Sequence, residues 1–85
     1  MTEPVEHKES ELRALFAETL EISLEEVHDG LAYATIPSWD SISHMALIAA
    51  LDMRYRLMIE TDDVIAMSSF AKCKEILRKY GVAVA

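Results

Sequence analysis

The chain has 85 residues, a net charge of −7, and an apolar share of 52%, with two glycines and two prolines. This composition favours one folded helical domain over a disordered chain. A chain of this length has room for one small core, with about 60–65% of its surface buried on folding, and none for a deep walled active site. Its acidic charge argues against nucleic acids and anionic membranes as partners.

The sequence also argues against export, membrane insertion and metal binding. The longest apolar run, residues 45–51, is far shorter than the roughly 18 residues of a membrane span. Residues 1–7 lack the basic and then apolar pattern of a secretory signal. The single cysteine has no partner for a disulfide or a zinc site. We therefore expect a soluble, cytoplasmic protein without a metal.

The first predicted element is an amphipathic helix over residues 6–21. One apolar stripe at helical spacing supports it, made of Leu12, Leu15, Phe16, Thr19 and Leu20. A long connection over residues 22–40 follows. Ser23 and Glu26 have the spacing of a capping box, which predicts a single helical turn there.

A second helix is predicted over residues 41–56, with Asp40 as its N-cap. It has few polar positions, which predicts that other elements cover it on more than one side. Trp39 precedes the cap. The position that would complete a hydrophobic staple with Trp39 is His44, which is not aliphatic, so the staple is incomplete.

Two further helices complete the chain. An acidic cluster at residues 60–63 predicts a short helix over residues 62–67, and Ser69 is expected to cap a last helix over residues 70–80, which Gly81 ends. Cys73 falls on the apolar stripe of that helix and is expected in the core. The prediction is an all-α bundle of three main helices and one short helix, without strands.

Asp40-Ser41-Ile42 stands where the long connection becomes the apolar second helix. A hydroxyl at a helix N-terminus lies beside free backbone N–H groups and the positive end of the helix dipole, which favour an anion. This motif, within this order of helices, resembles the acyl carrier protein family over nearly the whole chain. Alone, Asp40-Ser41 would be an ordinary helix cap.

The resemblance implies that Ser41 carries 4′-phosphopantetheine, attached from coenzyme A by a phosphopantetheinyl transferase. Asp40 would engage that transferase and its magnesium, and Ile42 would pack beside the site. The thiol of the arm would carry a fatty acyl, polyketide, hydroxyacyl or aminoacyl group as a thioester. The chain itself would then be a carrier and not an enzyme.

The resemblance also implies partner enzymes: an acyl or aminoacyl ligase or an acyltransferase, and downstream synthases or transferases. We expect a monomer that contacts them through Trp39, Met45, Asp52 and Met67, with apolar contacts outweighing charge. Members of the family usually have an acidic second helix, whereas here Asp52 is its single acidic residue, which indicates a specialised biosynthetic pathway.

Two other interpretations remain open from the residues. The chain could be a small helical adaptor that binds a partner through apolar faces and has no prosthetic group. A hydrolase using Ser41 and His44 is disfavoured, because no oxyanion donor or third orienting group accompanies them. His44 itself is expected to be a solvated surface residue.

Overall fold

A computed structural model describes residues 6–84, with side chains from His7 onward. The structure is a compact all-α bundle of three main helices and one short helix, with a long loop after the first, as predicted. The helices are α1 (Glu9–Leu20), α2 (Ser41–Tyr55), α3 (Thr61–Ala66) and α4 (Phe70–Lys79), with a 3-10 turn at Leu24–Glu26. Within this described part, no helix combines the length and hydropathy that crossing a membrane would need.

Three aromatic rings from different segments form the centre of the core. Phe16 of α1 lies edge-on between Trp39, at a centroid distance of 5.7 Å, and Phe70 of α4, at 5.0 Å. All three side chains are buried. Such edge-to-face pairs add about 0.5–1.5 kcal/mol each beyond the buried area. Because Trp39 is two residues before Ser41, this cluster also anchors the start of α2.

The N-terminal boundary of α1 differs from the sequence prediction. Glu6–His7 form a strand, β1, that pairs in parallel with a second strand, β2 (Ala83–Val84), and α1 begins only at Glu9. The expectation of a helix from residue 6 and of a bundle without strands is therefore corrected. The cause is at the other end of the chain, where Gly81 has φ of 85° and reverses its direction after α4. The segment that follows then meets β1.

Side chains and backbone pairing hold the long loop against the bundle. Arg13 of α1 donates from Nη2 to the Leu24 carbonyl at 2.8 Å and from Nε to the Val27 carbonyl at 3.1 Å. Further along, the Phe70 N–H donates to the Leu31 carbonyl at 2.9 Å. The Tyr33 N–H donates to the Ser68 carbonyl at 2.8 Å. These contacts place the loop between the starts of α2 and α4.

The N-terminal half of α3 is bound to α4 by a buried carboxylate. Asp63 accepts hydrogen bonds from Lys79 Nζ at 2.6 Å and from the Tyr80 hydroxyl at 2.5 Å. The same hydroxyl accepts the Glu60 N–H at 2.9 Å. Hydrogen bonding to Lys79, and then to Tyr80, lowers the pKa of Asp63. The sequence placed Asp63 in a capping cluster, whereas the N-cap is Glu60 and Asp63 faces the next helix.

Candidate functional site

Asp40 is the N-cap of α2, as predicted. Its backbone is extended, and its Oδ1 accepts a hydrogen bond from the Ser43 N–H at 2.9 Å. This bond from the Ser43 backbone is the main cause that lowers the pKa of Asp40. An ionised carboxylate therefore stands at the start of the helix at neutral pH, adjacent in sequence to the Ser41 hydroxyl.

Ser41 is the first residue of α2 and is exposed to solvent. It lines a cleft of about 340 Å³ between the start of α2, the loop before it and α3. The other lining residues are Tyr33, His44, Met45, Val64, Ile65, Met67 and Ser68. The site thus combines an accessible hydroxyl with a mostly apolar recess large enough for a small organic group.

His44 is half-buried in the lining of this cleft and is not the solvated surface residue that the sequence suggested. Its Nδ1 accepts the indole N–H of Trp39 at 3.0 Å, and its Nε2 lies 2.8 Å from the Val64 carbonyl oxygen. The imidazole also stacks on the Trp39 indole, with a centroid distance of 6.0 Å. With both ring nitrogens occupied, neither is free to accept a proton from Ser41.

Trp39 and Met67 were predicted to contact partners, and the structure contradicts both predictions. Trp39 is only 1% exposed and belongs to the aromatic centre of the core. Met67 is likewise 1% exposed, at the floor of the cleft. Trp39 therefore cannot form part of an outer docking surface, and Met67 can be reached only through the cleft that it lines.

The resemblance implied that Ile42 packs beside the site, but its side chain is 81% exposed to solvent. Ala46, Ala49 and Met53 follow it at helical spacing and are exposed as well. These four residues form an apolar stripe on the solvent side of α2, which we call the α2 stripe. One side of α2 therefore faces solvent, while α1 and α3 contact the helix elsewhere, at Arg54 and His44 respectively.

Met45 and Asp52 are the two remaining residues expected to bind partners. Met45 is 59% exposed at the rim of the cleft, so it remains accessible to a ligand or a partner. Asp52 is half-buried, and its Oδ1 accepts the Ile59 N–H at 3.2 Å. The Asp52 carboxylate thus holds the segment that connects α2 to α3, a role the sequence did not indicate.

The described residues 6–84 contain no group of three or more histidine, cysteine or acidic side chains placed to hold a metal ion. Cys73 is buried in the core, as predicted, and burial raises the pKa of its thiol to about 12. The chain matches no protein-family model, and no curated protein matches it significantly.

The sequence did not identify the cleft walls contributed by distant segments. Tyr33 comes from the long loop, Val64 and Ile65 from α3, and Ser68 from the link to α4. The one available signal was the spacing of Ser41 and His44, three residues apart on a helix, which places both side chains on one face. No local pattern indicated that α3 would close the other side.

Proposed function

We propose that this protein is a carrier whose Ser41 is modified with 4′-phosphopantetheine, and that it belongs with the acyl carrier proteins. The observation that carries the proposal is the exposed Ser41 hydroxyl at the first residue of α2, at the edge of an apolar cleft. The resemblance of Asp40-Ser41-Ile42 and of the helix order to that family supports it. When bound, the arm supplies a thiol that holds a cargo acyl group as a thioester.

The residues at the start of α2 fit such a modification. Ser41 Oγ would bond to the phosphorus of coenzyme A that bears pantetheine, while the phosphorus–oxygen bond to adenosine 3′,5′-bisphosphate breaks. The hydroxyl proton would pass to a base of the transferase. The helix dipole favours the resulting phosphodiester by about 0.3–1 kcal/mol.

Asp40 is suited to assist the transferase. Its ionised carboxylate can attract the magnesium ion that accompanies coenzyme A, and cations of this kind prefer oxygen ligands. Since the described residues form no metal site of their own, the other ligands would come from the transferase and from coenzyme A. We also infer a cytoplasmic location, because the free buried thiol of Cys73 is typical of proteins in reducing compartments.

The α2 stripe is the surface we propose for partner enzymes: the transferase, a loading ligase or acyltransferase, and downstream synthases or transferases. It begins beside Ser41 at Ile42 and ends at Met53, which is 83% exposed. Contiguous exposed apolar surface commonly marks an interaction site. Arg54 beyond the stripe is paired with Glu11 at 3.0 Å, so we expect a partner surface that is largely apolar. Because Asp52 is the single acidic residue of α2, we propose a role in a specialised pathway.

Intact-mass measurement tests the modification. The chain is incubated with coenzyme A, magnesium and a broad-specificity phosphopantetheinyl transferase, and a proven carrier serves as positive control. Ser43→Ala is the matched variant, since Ser43 contributes its backbone N–H to the cap. We expect the mass of one phosphopantetheinyl group to be added to the wild type and to Ser43→Ala, and nothing to be added to Ser41→Ala. An unmodified wild type would refute the proposal.

Transferase kinetics test the partner surface. Ile42→Ser removes an apolar side chain from the α2 stripe, and Met58→Ser removes one that is equally exposed but lies beyond the helix. We expect the KM for the carrier to rise with Ile42→Ser and to stay unchanged with Met58→Ser. A steep rise of the wild-type KM with salt would instead indicate that charge dominates the contact.

An adaptor without a prosthetic group is the second candidate, and the exposure of the α2 stripe favours it. Such a protein would use the same apolar surface but would leave Ser41 unmodified. The mass measurement separates the two candidates. A stable complex with a partner that forms equally well with Ser41→Ala, together with no modification of the wild type, would support the adaptor.

A further inference from the structure

His44 joins three segments that meet at the cleft. It is part of α2, it accepts a hydrogen bond from Trp39 in the preceding loop, and it reaches the Val64 carbonyl in α3. An indole nitrogen can only donate, and a carbonyl oxygen can only accept. Both bonds therefore exist together in one neutral form of the imidazole, the one with its proton on Nε2 and none on Nδ1.

The bond to Val64 acts on the C-terminal half of α3, beyond the residues that hydrogen-bond to Lys79 and Tyr80. Asp63 and the Glu60 N–H bind the N-terminal half to Tyr80, at the end of α4. The C-terminal half forms the wall of the cleft through Val64 and Ile65, of which Ile65 is largely exposed. The contact of His44 Nε2 with the Val64 carbonyl is thus a polar link between this wall and the start of α2.

We propose that His44 is a positioning residue whose Nε2–H tautomer ties Trp39 to α3 and so sets the width of the cleft beside Ser41. The tie has two separable halves: Nδ1 holds the loop and Nε2 holds the wall. The consequence that His44 selects which cargo fits rests on the proposed carrier function. The tie itself does not, because it exists in the unmodified chain.

Two substitutions can remove one half of the tie at a time. In His44→Asn, the amide oxygen can replace Nδ1 as the acceptor for Trp39, while the shorter side chain falls short of Val64. In His44→Gln, the amide N–H group can replace Nε2 as the donor to Val64, while the acceptor at the Nδ1 position is lost.

Hydrogen exchange followed by NMR on the unmodified chain gives a separate readout for each half. The Met67 N–H, which donates to the Asp63 carbonyl at 3.0 Å, reports on the end of α3. The indole N–H of Trp39, the single tryptophan, reports on the loop. Loss of one hydrogen bond is expected to raise the exchange rate of the reporting N–H about two- to tenfold.

We expect His44→Asn to speed exchange at Met67 and leave the indole unchanged, and His44→Gln to do the reverse. Equal acceleration of both readouts in both histidine variants would overturn the proposal, because His44 would then act only through packing. If the variants fail to fold, the ¹⁵N chemical shifts of the His44 ring in the wild type show which nitrogen carries the proton. A proton on Nδ1 would overturn the proposal.

These outcomes are independent of the carrier proposal. A wild type that cannot be modified at Ser41 but shows the separated exchange pattern would leave the tie in place and remove only its consequence for cargo. A wild type that is modified at Ser41 but lacks the separated exchange pattern would support the carrier proposal and overturn the tie.

Discussion

Replacing Glu21 by glycine tests the backbone conformation at the end of α1. Glu21 has φ of 56° and ψ of 49°, the left-handed region. This region costs a residue other than glycine about 1–2 kcal/mol, whereas glycine in a fixed backbone loses about 0.5–1 kcal/mol more conformational entropy. The midpoints of these two ranges differ by about 0.75 kcal/mol, which is the stabilisation we expect from Glu21→Gly. For a domain of this size, that raises Tm by about 3–6 °C.

Glu18→Gly is the matched control, because it makes the same chemical change three residues earlier. Glu18 is also exposed, and it lies inside α1 with helical geometry, where glycine costs about 1 kcal/mol. Urea unfolding followed by circular dichroism at pH 7 should therefore give shifts of opposite sign for the two variants. If Glu21→Gly destabilised the protein as much as Glu18→Gly does, the left-handed ending of α1 would be refuted.

Three further predictions concern the thiol, the buried carboxylate and a cap. The pKa of Cys73, raised by burial to about 12, predicts that a thiol reagent at pH 8 leaves the native unmodified chain unlabelled and labels it in urea. The pKa of Asp63 is lowered by Lys79, so its stabilisation is present above pH 3.8 and is lost as the pH falls through its lower folded value. In urea unfolding between pH 2 and 6, Asp63→Asn should be less stable than the wild type at pH 6. Its free energy of unfolding should also fall less than that of the wild type as the pH is lowered. Ser69 accepts the Lys72 N–H at 3.0 Å, and Ser69→Ala should cost about 1 kcal/mol of unfolding free energy.

The start of each capped helix could be predicted from the sequence, because a cap is a local interaction. Asp40 and Ser69 cap α2 and α4 through hydrogen bonds to the residue three positions later. Ser23 and Glu26 form the expected capping box. In each case the donor and the acceptor lie within one turn, so their spacing along the chain determines whether they can meet.

The contacts that shape the site connect residues far apart in the chain and left no local pattern. Asp63 reaches Lys79 across 16 positions, and His44 reaches Val64 across 20. The staple between Trp39 and His44 is incomplete by sequence, because His44 is not aliphatic. The structure shows that a hydrogen bond and ring stacking replace the usual apolar contact.

The amino-acid pattern of α2 alone does not distinguish its buried apolar residues from its exposed ones. Leu47 and Leu51 are buried, whereas Ile42 and Met53 lie on the opposite side in solvent. Hydrophobic periodicity identifies a helix that is apolar nearly all round, and such a helix is either covered by its own fold or left for a partner. Which of the two applies depends on where α1, α3 and α4 pack.

Mass spectrometry with fragmentation, after treatment with coenzyme A and a phosphopantetheinyl transferase, tests the carrier proposal most directly. The account predicts one added phosphopantetheinyl group, located on Ser41, and one new thiol that reacts in the native protein while Cys73 stays protected. A wild-type chain that gains no mass while a proven carrier is modified alongside it would contradict the account, as would a group located on any other serine.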